Sequence, residues 1–206
     1  MTDDALTVEV FADVLCPFTH VGLRRFVRRR EHSARRVLLW VRAWPLEVVN
    51  GAPLEPGFVA DEVAALRAGV APDLFTGFDT GAFPPTALPA LALGAAATRH
   101  DAATEEAVAL ELRTLLFEQG ADVADPDVLA DVAERFGITV EPGDADTVVA
   151  DHREGQLRGV VGSPHFFTPD GSFFCPSLDI RHDDDGTLQV RFDQEGFEEF
   201  VGACFD

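Results

Sequence analysis

The chain has 206 residues, of which 47% are hydrophobic, and this composition suits one folded domain with an insertion. Its formal net charge is −20, because 36 acidic residues outnumber 16 basic ones, and every basic residue is an arginine. A chain this acidic is unsuited to binding nucleic acid, whose phosphates need cationic partners, and no apolar run approaches the roughly 20 residues of a membrane span.

The first part of the chain predicts a strand, a helix and a second strand. Residues 6–12 alternate apolar and polar side chains, residues 18–30 have helical periodicity, and residues 37–43 are a run of strand formers. Cys16 stands where the first strand turns into the helix. A thiol at this point lies beside unpaired backbone N–H groups and the positive end of the helix dipole, which both favour the thiolate. Taken alone, this position leaves two roles open for Cys16, an activated nucleophile or a small buried hydrophobic residue.

Two polar residues follow Cys16 in the first turn of the predicted helix, and the sequence leaves two roles open for each. The hydroxyl of Thr19 donates a hydrogen bond to the thiolate, or it bonds the local backbone instead. His20 lies four residues after Cys16 and so on the same helix face. There it deprotonates the thiol, or it is a partly exposed residue without a partner.

The middle of the chain predicts a helical insertion. Residues 48–57 are rich in proline and glycine and mark the departure from the first unit. Helical periodicity then covers residues 58–68, 86–98 and 104–117. Asp125 and Pro126 supply a cap and a first-turn proline for a fourth helix, which Gly137 stops. The apolar side chains of Phe75, Phe78 and Phe83 either roof the active site or form the contact of a homodimer.

The last part of the chain predicts a return to mixed structure. A helix at residues 145–157 leads to Gly162-Ser163-Pro164-His165, and strands at 166–168 and 172–175 follow around a Pro-Asp-Gly turn. Residues 178–181 and 188–192 predict a further hairpin, and residues 195–204 a closing helix. The Asp183-Asp184-Asp185 run between these strands lacks the spacing of a calcium loop, so we interpret it as a solvated turn.

Two widely separated segments resemble one known family. Residues 8–18 read Val-Glu-Val-Phe-Ala-Asp-Val-Leu-Cys-Pro-Phe, and residues 159–166 read Gly-Val-Val-Gly-Ser-Pro-His-Phe. With the helices between them, they resemble the DsbA-type disulfide oxidoreductases and their cytosolic relatives, which include 2-hydroxychromene-2-carboxylate isomerases and kappa-class glutathione transferases. Residues 118–129 also resemble the joint between two helices of that family's inserted domain.

This resemblance implies a fold and a set of site residues. The fold is α/β, thioredoxin-like with an inserted all-helical domain: residues 1–50 and 145–206 form the thioredoxin-like domain and residues 51–144 the insertion. Pro164 is then a cis-proline that faces Cys16. The resemblance further implies a catalytic role for Cys16, and from their positions beside it we expect Thr19 and His20 to be catalytic as well. The resemblance implies substrate-binding roles for Pro17, Phe18, Ser163, Pro164 and His165, with an extended substrate pairing along the Ser163–Pro164 backbone.

One departure from the family decides the expected chemistry. Its redox members carry Cys-x-x-Cys, whereas Thr19 occupies the second cysteine position here. A dithiol cycle within this motif is excluded, so we expect a monothiol thiol–disulfide oxidoreductase. Cys16 attacks a protein or small-molecule disulfide, and a low-molecular-weight thiol such as glutathione completes the cycle as co-substrate without a bound cofactor. The alternatives are a small-thiol-dependent isomerase or transferase of the same fold, and a non-catalytic binding or chaperone domain.

The cysteines and the N-terminus favour a reducing compartment. Only Cys16, Cys175 and Cys204 occur, which is too few for a disulfide framework, and their spacing with the scattered histidines predicts no metal site. Cys175 is either a distant resolving cysteine or a buried inert thiol, and Cys204 is expected to be a packing thiol. Residues 1–4 lack the basic and then apolar start of a secretory signal, so we expect a cytoplasmic protein.

Overall fold

The computed structural model describes residues 6–183 and 185–206. Residues 1–5 and Asp184 lie outside the described residues. The prediction about a secretory signal rests on residues 1–4, and the predicted solvated turn includes Asp184. The central sheet has four strands in the order β2-β1-β3-β4. They are β1 (Leu6–Ala12), β2 (Val37–Ala43), β3 (His165–Thr168) and β4 (Gly171–Phe174). β1 and β2 are parallel, and β3 pairs antiparallel with both β1 and β4.

The helices fall between and after these strands. They are α1 (Pro17–Arg30), α2 (Leu46–Asn50), α3 (Pro56–Gly69), α4 (Leu88–Ala97), α5 (Ala102–Gln119), α6 (Pro126–Phe136), α7 (Pro142–Leu157) and α8 (Gln194–Phe205). All the predicted helices are confirmed with ends shifted by a few residues. The sequence missed α2 and a short 3-10 turn at Thr80–Ala82. α2 is too short for a periodic pattern, and its Leu46 amide donates to the distant Asp13 carboxylate at 2.6 Å.

The outer edge of the sheet is closed by buried carboxylates. β2 is an edge strand, and its amides at Leu39, Val41 and Ala43 point away from β1. Glu106 and Glu105 of α5 and Asp151 of α7 accept hydrogen bonds from these three amides at 2.7–3.2 Å. Unpaired amides on an edge strand can pair with a strand of another chain and cause aggregation. Carboxylates that accept hydrogen bonds from these amides prevent that pairing. The same bonds fix α5, and with it Arg113, against the sheet.

A second, two-stranded sheet lies against the first helix of the insertion. It is the predicted hairpin of β5 (Leu178–His182) and β6 (Leu188–Phe192), which pair antiparallel. A Cβ on Gly69 of α3 would lie only 2.2 Å from the Val190 carbonyl oxygen. Glycine at the end of α3 therefore allows the hairpin and the helix to approach closely at one end.

Apolar packing fixes α1 and α8 on the sheet. Phe26 of α1 contacts Phe200 of α8, with ring centroids 5.9 Å apart, and Phe200 also packs on Phe166 of β3 at 4.6 Å. Cys204 is fully buried in this cluster, as expected for a packing thiol. No helix in residues 6–183 and 185–206 has the length and hydropathy needed to cross a membrane.

Candidate active site

The two sequence segments singled out above meet at Cys16. Cys16 is the N-cap of α1, with φ −81° and ψ 115°, and Pro17 begins the helix. Its thiol donates to the Ser163 carbonyl at 3.2 Å, and the Ser163–Pro164 peptide bond is cis. A Cβ on Gly22 would lie 3.3 Å from the Pro164 side chain, so α1 runs directly beside the proline.

Hydroxyl groups connect the strand, the helix and the proline segment. The Ser163 Oγ accepts from the Asp13 amide at 2.9 Å and lies 2.7 Å from the Thr19 Oγ1. When Ser163 donates to Thr19, the Thr19 hydroxyl proton is free for the Cys16 sulfur. Hydrogen bonds from the Thr19 hydroxyl and amide favour the thiolate of Cys16. The Thr19 hydroxyl bonds Ser163 rather than the local backbone, and its role toward the thiol stays a prediction.

The expected activation of the Cys16 thiol is not what the structure shows. Cys16 is only 3% exposed and shares an apolar cluster with Val59 and Val63 of α3. Burial, followed by the negative charge of Glu62, raises the pKa of Cys16 to about 11, although the hydrogen bonds from Thr19 and Ser163 oppose this rise. The sequence-based expectation of a lowered pKa was wrong, because the helix N-terminus is covered by the insertion and no longer faces water.

The structure places His20 away from the thiol. Its Nε2 lies 2.7 Å from the Glu118 Oε1, and its ring packs between Phe75 and Phe117 at centroid distances of 5.3 and 5.0 Å. Burial lowers the pKa of His20, so the neutral ring donates its Nε2 proton to the carboxylate. The expected role as a base for Cys16 is contradicted, because the imidazole is hydrogen-bonded to the Glu118 carboxylate of α5 and not to the thiol.

Glu118 itself is a structural anchor of this region. Burial raises its pKa, but hydrogen bonds from His20 and from the amides of Phe75 and Thr76 outweigh that effect and hold the pKa at about 2. The Phe75 amide donates at 2.9 Å while Phe75 takes a φ of 63°. The aromatic side chains predicted to roof the site or form a dimer contact include the buried Phe75 and Phe83, which pack within the chain.

His165 also differs from its expected position at the substrate-facing edge. It is 6% exposed, its ring stacks on Phe167 at 4.9 Å, and its Nδ1 accepts from the Val161 amide at 3.2 Å. Burial and the charge of Arg158 lower the pKa of His165. In this arrangement its ring lies inside the protein, and the direct substrate contact stays a prediction.

Sequence reasoning missed a buried charge pair beneath Cys16. Asp13 is 1% exposed and accepts from the Leu15 amide at 2.7 Å, and burial raises its pKa to about 6. Arg113 is 2% exposed and donates to the Asp13 carbonyl at 3.0 Å, and burial lowers its pKa to about 10. A signal existed, since Arg113 lies on the helix face of Ala109 and Phe117, where an apolar residue is expected.

Cys175 lies across the proline from Cys16. Its amide donates to the Pro164 carbonyl at 3.0 Å, and its φ is 47°. The three cysteines are free, buried thiols, and burial together with the nearby Cys16 raises the pKa of Cys175. These properties agree with the inert alternative. In the part of the chain that the structure describes, no group of three His, Cys, Asp or Glu side chains is placed to hold a metal ion.

Phe18 connects the site to a surface groove. The groove has a volume of about 700 Å³ and lies between α3 and the β5–β6 hairpin. Phe18, two residues after Cys16, is 9% exposed and forms part of its lining. We call this cavity the α3–hairpin groove.

Comparison with known proteins identifies the family of this arrangement. The family model for the DSBA-like thioredoxin domain matches residues 7–182. A comparison with curated proteins gave no match.

Solved structures share the fold at low identity. Cytosolic disulfide reductase DsbM from Pseudomonas aeruginosa is 18% identical with a TM-score of 0.58, covering 97% of this chain and 93% of that chain. Its structure with GSH gives 17% identity and a TM-score of 0.55, covering 97% and 94%. A 2-hydroxychromene-2-carboxylate isomerase is 15% identical with a TM-score of 0.60, covering 82% and 88%. These likenesses establish the thioredoxin-like α/β fold, and the match to the family model confirms the family resemblance seen in the sequence.

Proposed function

Because the chain belongs to the DSBA-like thioredoxin domain family, we propose that it is a monothiol thiol–disulfide oxidoreductase with Cys16 as the nucleophile. One observation carries the proposal: the Cys16 thiol lies at the start of α1, 3.2 Å from the Ser163 carbonyl, with Thr19 where a second cysteine would resolve the intermediate. A nucleophile without a neighbouring thiol must be regenerated by a thiol from solution.

The reaction then has two exchange steps. The Cys16 thiolate attacks one sulfur of a disulfide, the substrate S–S bond breaks, and one substrate thiolate leaves while Cys16 is held in a mixed disulfide. A second thiolate, from a small thiol, attacks the mixed disulfide at the substrate sulfur and returns Cys16 as thiolate. The hydroxyl and amide of Thr19 stabilise that thiolate in both steps. The net products are one free substrate thiolate and a mixed disulfide between the other half of the substrate and the small thiol.

Burial controls the rate of this reaction. With a pKa of about 11, on the order of one thiol in ten thousand is ionised at pH 7. The described arrangement is therefore a resting state. Because burial is the largest cause of the raised pKa, movement of α3 away from Cys16 on substrate entry would rehydrate the thiol and increase the thiolate population.

The similar structures support a small-thiol co-substrate and a cytoplasmic setting. DsbM from Pseudomonas aeruginosa is described as a cytosolic disulfide reductase and has been solved with GSH. We extend both properties to this chain as part of the proposal: its co-substrate is a low-molecular-weight thiol such as glutathione, and it acts in the cytoplasm on protein or small-molecule disulfides.

A second candidate is a small-thiol-dependent isomerase or transferase. The raised pKa of Cys16 favours it, because the paired hydroxyls of Thr19 and Ser163 could then stabilise the thiolate of a bound co-substrate instead. A 2-hydroxychromene-2-carboxylate isomerase is among the solved structures that share this fold.

The Cys16→Ser variant separates the two candidates. Turnover of bis(2-hydroxyethyl) disulfide is measured with excess glutathione for the wild type and for Cys16→Ser, with Cys204→Ser as the matched control. We expect Cys16→Ser to lose activity and Cys204→Ser to retain it. Full activity of Cys16→Ser in the presence of added thiol would refute covalent catalysis and favour the bound-thiol candidate.

A further inference from the structure

The α3–hairpin groove is an opening whose lining includes Phe18, two residues after Cys16. Its apolar lining includes Phe18 from α1, Ala65 from α3, and Ile180 and Leu188 from the hairpin. Its volume of about 700 Å³ is in the range of small-molecule sites. Because Cys16 itself is 3% exposed, the occupant that fits this groove is a small disulfide or thiol.

The charge of the groove is one-sided. Among the residues that the structure describes, its ionisable lining residues are Asp61 and Glu62 of α3 and His182 of β5, and no arginine contributes to it. Glu62 is half-buried and has no hydrogen-bond or ion-pair partner among residues 6–183 and 185–206. The nearby Arg25 is turned elsewhere, since its guanidinium donates to the carbonyls of Ser177 and Val70 at 2.8 and 3.0 Å. A ligand in the groove therefore meets carboxylates without compensating cations.

We propose that the α3–hairpin groove selects small disulfides and thiols that are neutral or cationic near the sulfur and rejects anionic ones, with Glu62 as the residue that determines this specificity. The inference rests on the proposed function, because it concerns the small molecule that exchanges with Cys16. An anionic group placed beside an unpaired, half-buried carboxylate is repelled, and a cationic one is attracted. Glutathione, which carries a net negative charge, is then a poorer co-substrate than a neutral thiol of similar size.

The effect of Glu62 on Cys16 supports its position at the reacting end of the groove. After burial, the charge of Glu62 is the largest cause of the raised pKa of Cys16. Burial raises the pKa of Glu62 to about 7, so its repulsion of anions strengthens as the pH rises through that value. The other titratable groups that face it are Asp61 on its own helix, His182 on β5 and Cys16 on α1.

Three aliphatic disulfides of similar size and different charge test the proposal: cystamine, bis(2-hydroxyethyl) disulfide and 3,3′-dithiodipropionate. The rate of mixed-disulfide formation at Cys16 is followed by mass spectrometry at pH 8 and low salt, and divided by the rate with a cysteine-containing peptide. We expect cystamine to react fastest and the dianion slowest. Glu62→Gln should reduce the ratio of the cystamine rate to the 3,3′-dithiodipropionate rate by on the order of tenfold. The reason is that a close charge pair is worth one or a few kcal/mol near a protein surface.

Two further variants make the test specific to the groove. Glu134→Gln, on the exposed face of α6, removes the same charge far from Cys16 and should leave the ratio unchanged. Gln189→Arg adds a cation to the groove lining. It should therefore raise the rate at which the dianionic 3,3′-dithiodipropionate forms a mixed disulfide with Cys16. Equal effects of Glu62→Gln and Glu134→Gln would overturn the proposal, because the selectivity would then come from the overall charge.

The neutral disulfide separates failure of the inference from failure of the proposed function. If bis(2-hydroxyethyl) disulfide labels Cys16 but the charged probes do so equally well, the specificity proposal fails and the proposed function stands. If the neutral disulfide does not label Cys16, both fail. If Glu62→Gln slows all three probes equally, Glu62 acts on the thiol itself, for example as its proton acceptor, and the specificity role is refuted.

Discussion

Replacing Glu105 by glutamine is expected to remove much of the loss of stability between pH 6 and pH 8. Glu105 is 1% exposed and accepts from the Val41 amide on the sheet edge at 3.1 Å. Burial raises its pKa to about 8 from an ordinary value of 4.5. The folded protein therefore holds a proton that the unfolded chain has already released, and its stability falls as the pH rises through this interval. Glutamine keeps the hydrogen-bond acceptor and has no proton to lose.

The size of the effect follows from linkage. At 1.36 kcal/mol per pKa unit, the interval between the ordinary value and about 8 corresponds to roughly 4–5 kcal/mol in total, of which roughly 2–3 kcal/mol falls between pH 6 and pH 8. Below pH 6, the raised pKa of Asp13 and the lowered pKa of His20 act with opposite signs. Between pH 6 and pH 8 Glu62, whose pKa is about 7, lowers the stability of the wild type and of Glu105→Gln alike, so the difference between the two proteins reports Glu105.

Urea denaturation at pH 6 and pH 8 measures this difference as the free energy of unfolding. The wild type should lose roughly 2–3 kcal/mol more than Glu105→Gln between the two pH values. The exposed Glu134→Gln is the control and should follow the wild type. An identical pH slope for wild type and Glu105→Gln would show that the buried carboxyl ionises normally and would refute the reasoning.

Three further predictions concern the site and its support. Thr19→Val removes the hydroxyl that favours the Cys16 thiolate, so iodoacetamide should label Cys16 more slowly, by on the order of tenfold; faster labelling would contradict that role. Cys175→Ser should keep turnover close to the wild type, whereas loss of turnover, with a Cys16 to Cys175 disulfide in the wild type, would show a dithiol cycle. Gly155→Ala places a Cβ 2.6 Å from a tryptophan ring, and urea denaturation should show a loss of about 1–3 kcal/mol. Gly143→Ala on the same helix meets nothing within 4 Å and should show no such loss.

Local sequence patterns were sufficient for most of the fold. Alternation placed β1, a run of strand formers placed β2, and the Asp125 cap with the Gly137 stop placed α6, because these signals lie at or within the elements themselves. α2 was missed because its first amide is satisfied by Asp13, far away in the sequence. The contact between the hairpin and α3 likewise could not be predicted, because the pattern in each segment indicates its secondary structure but not the element it packs against.

The site could be predicted as a constellation but not in its electrostatics. The Cys-Pro and Ser-Pro segments identified Cys16, Thr19 and Ser163, and the structure brings them together. The pKa of Cys16 depends on α3 and on Glu62, which reach the thiol only through tertiary packing. His20 failed as a base for the same reason, because its partner comes from the far end of α5.

The most direct test of covalent catalysis is the time course of the mixed disulfide at Cys16. The wild type is mixed with bis(2-hydroxyethyl) disulfide and glutathione, quenched with acid at intervals, and analysed by intact-mass and peptide mass spectrometry. We predict an adduct on Cys16 alone that forms and decays at least as fast as the enzyme turns over. Turnover without this adduct, or with an adduct that decays more slowly than turnover, would contradict a role for Cys16 as the nucleophile.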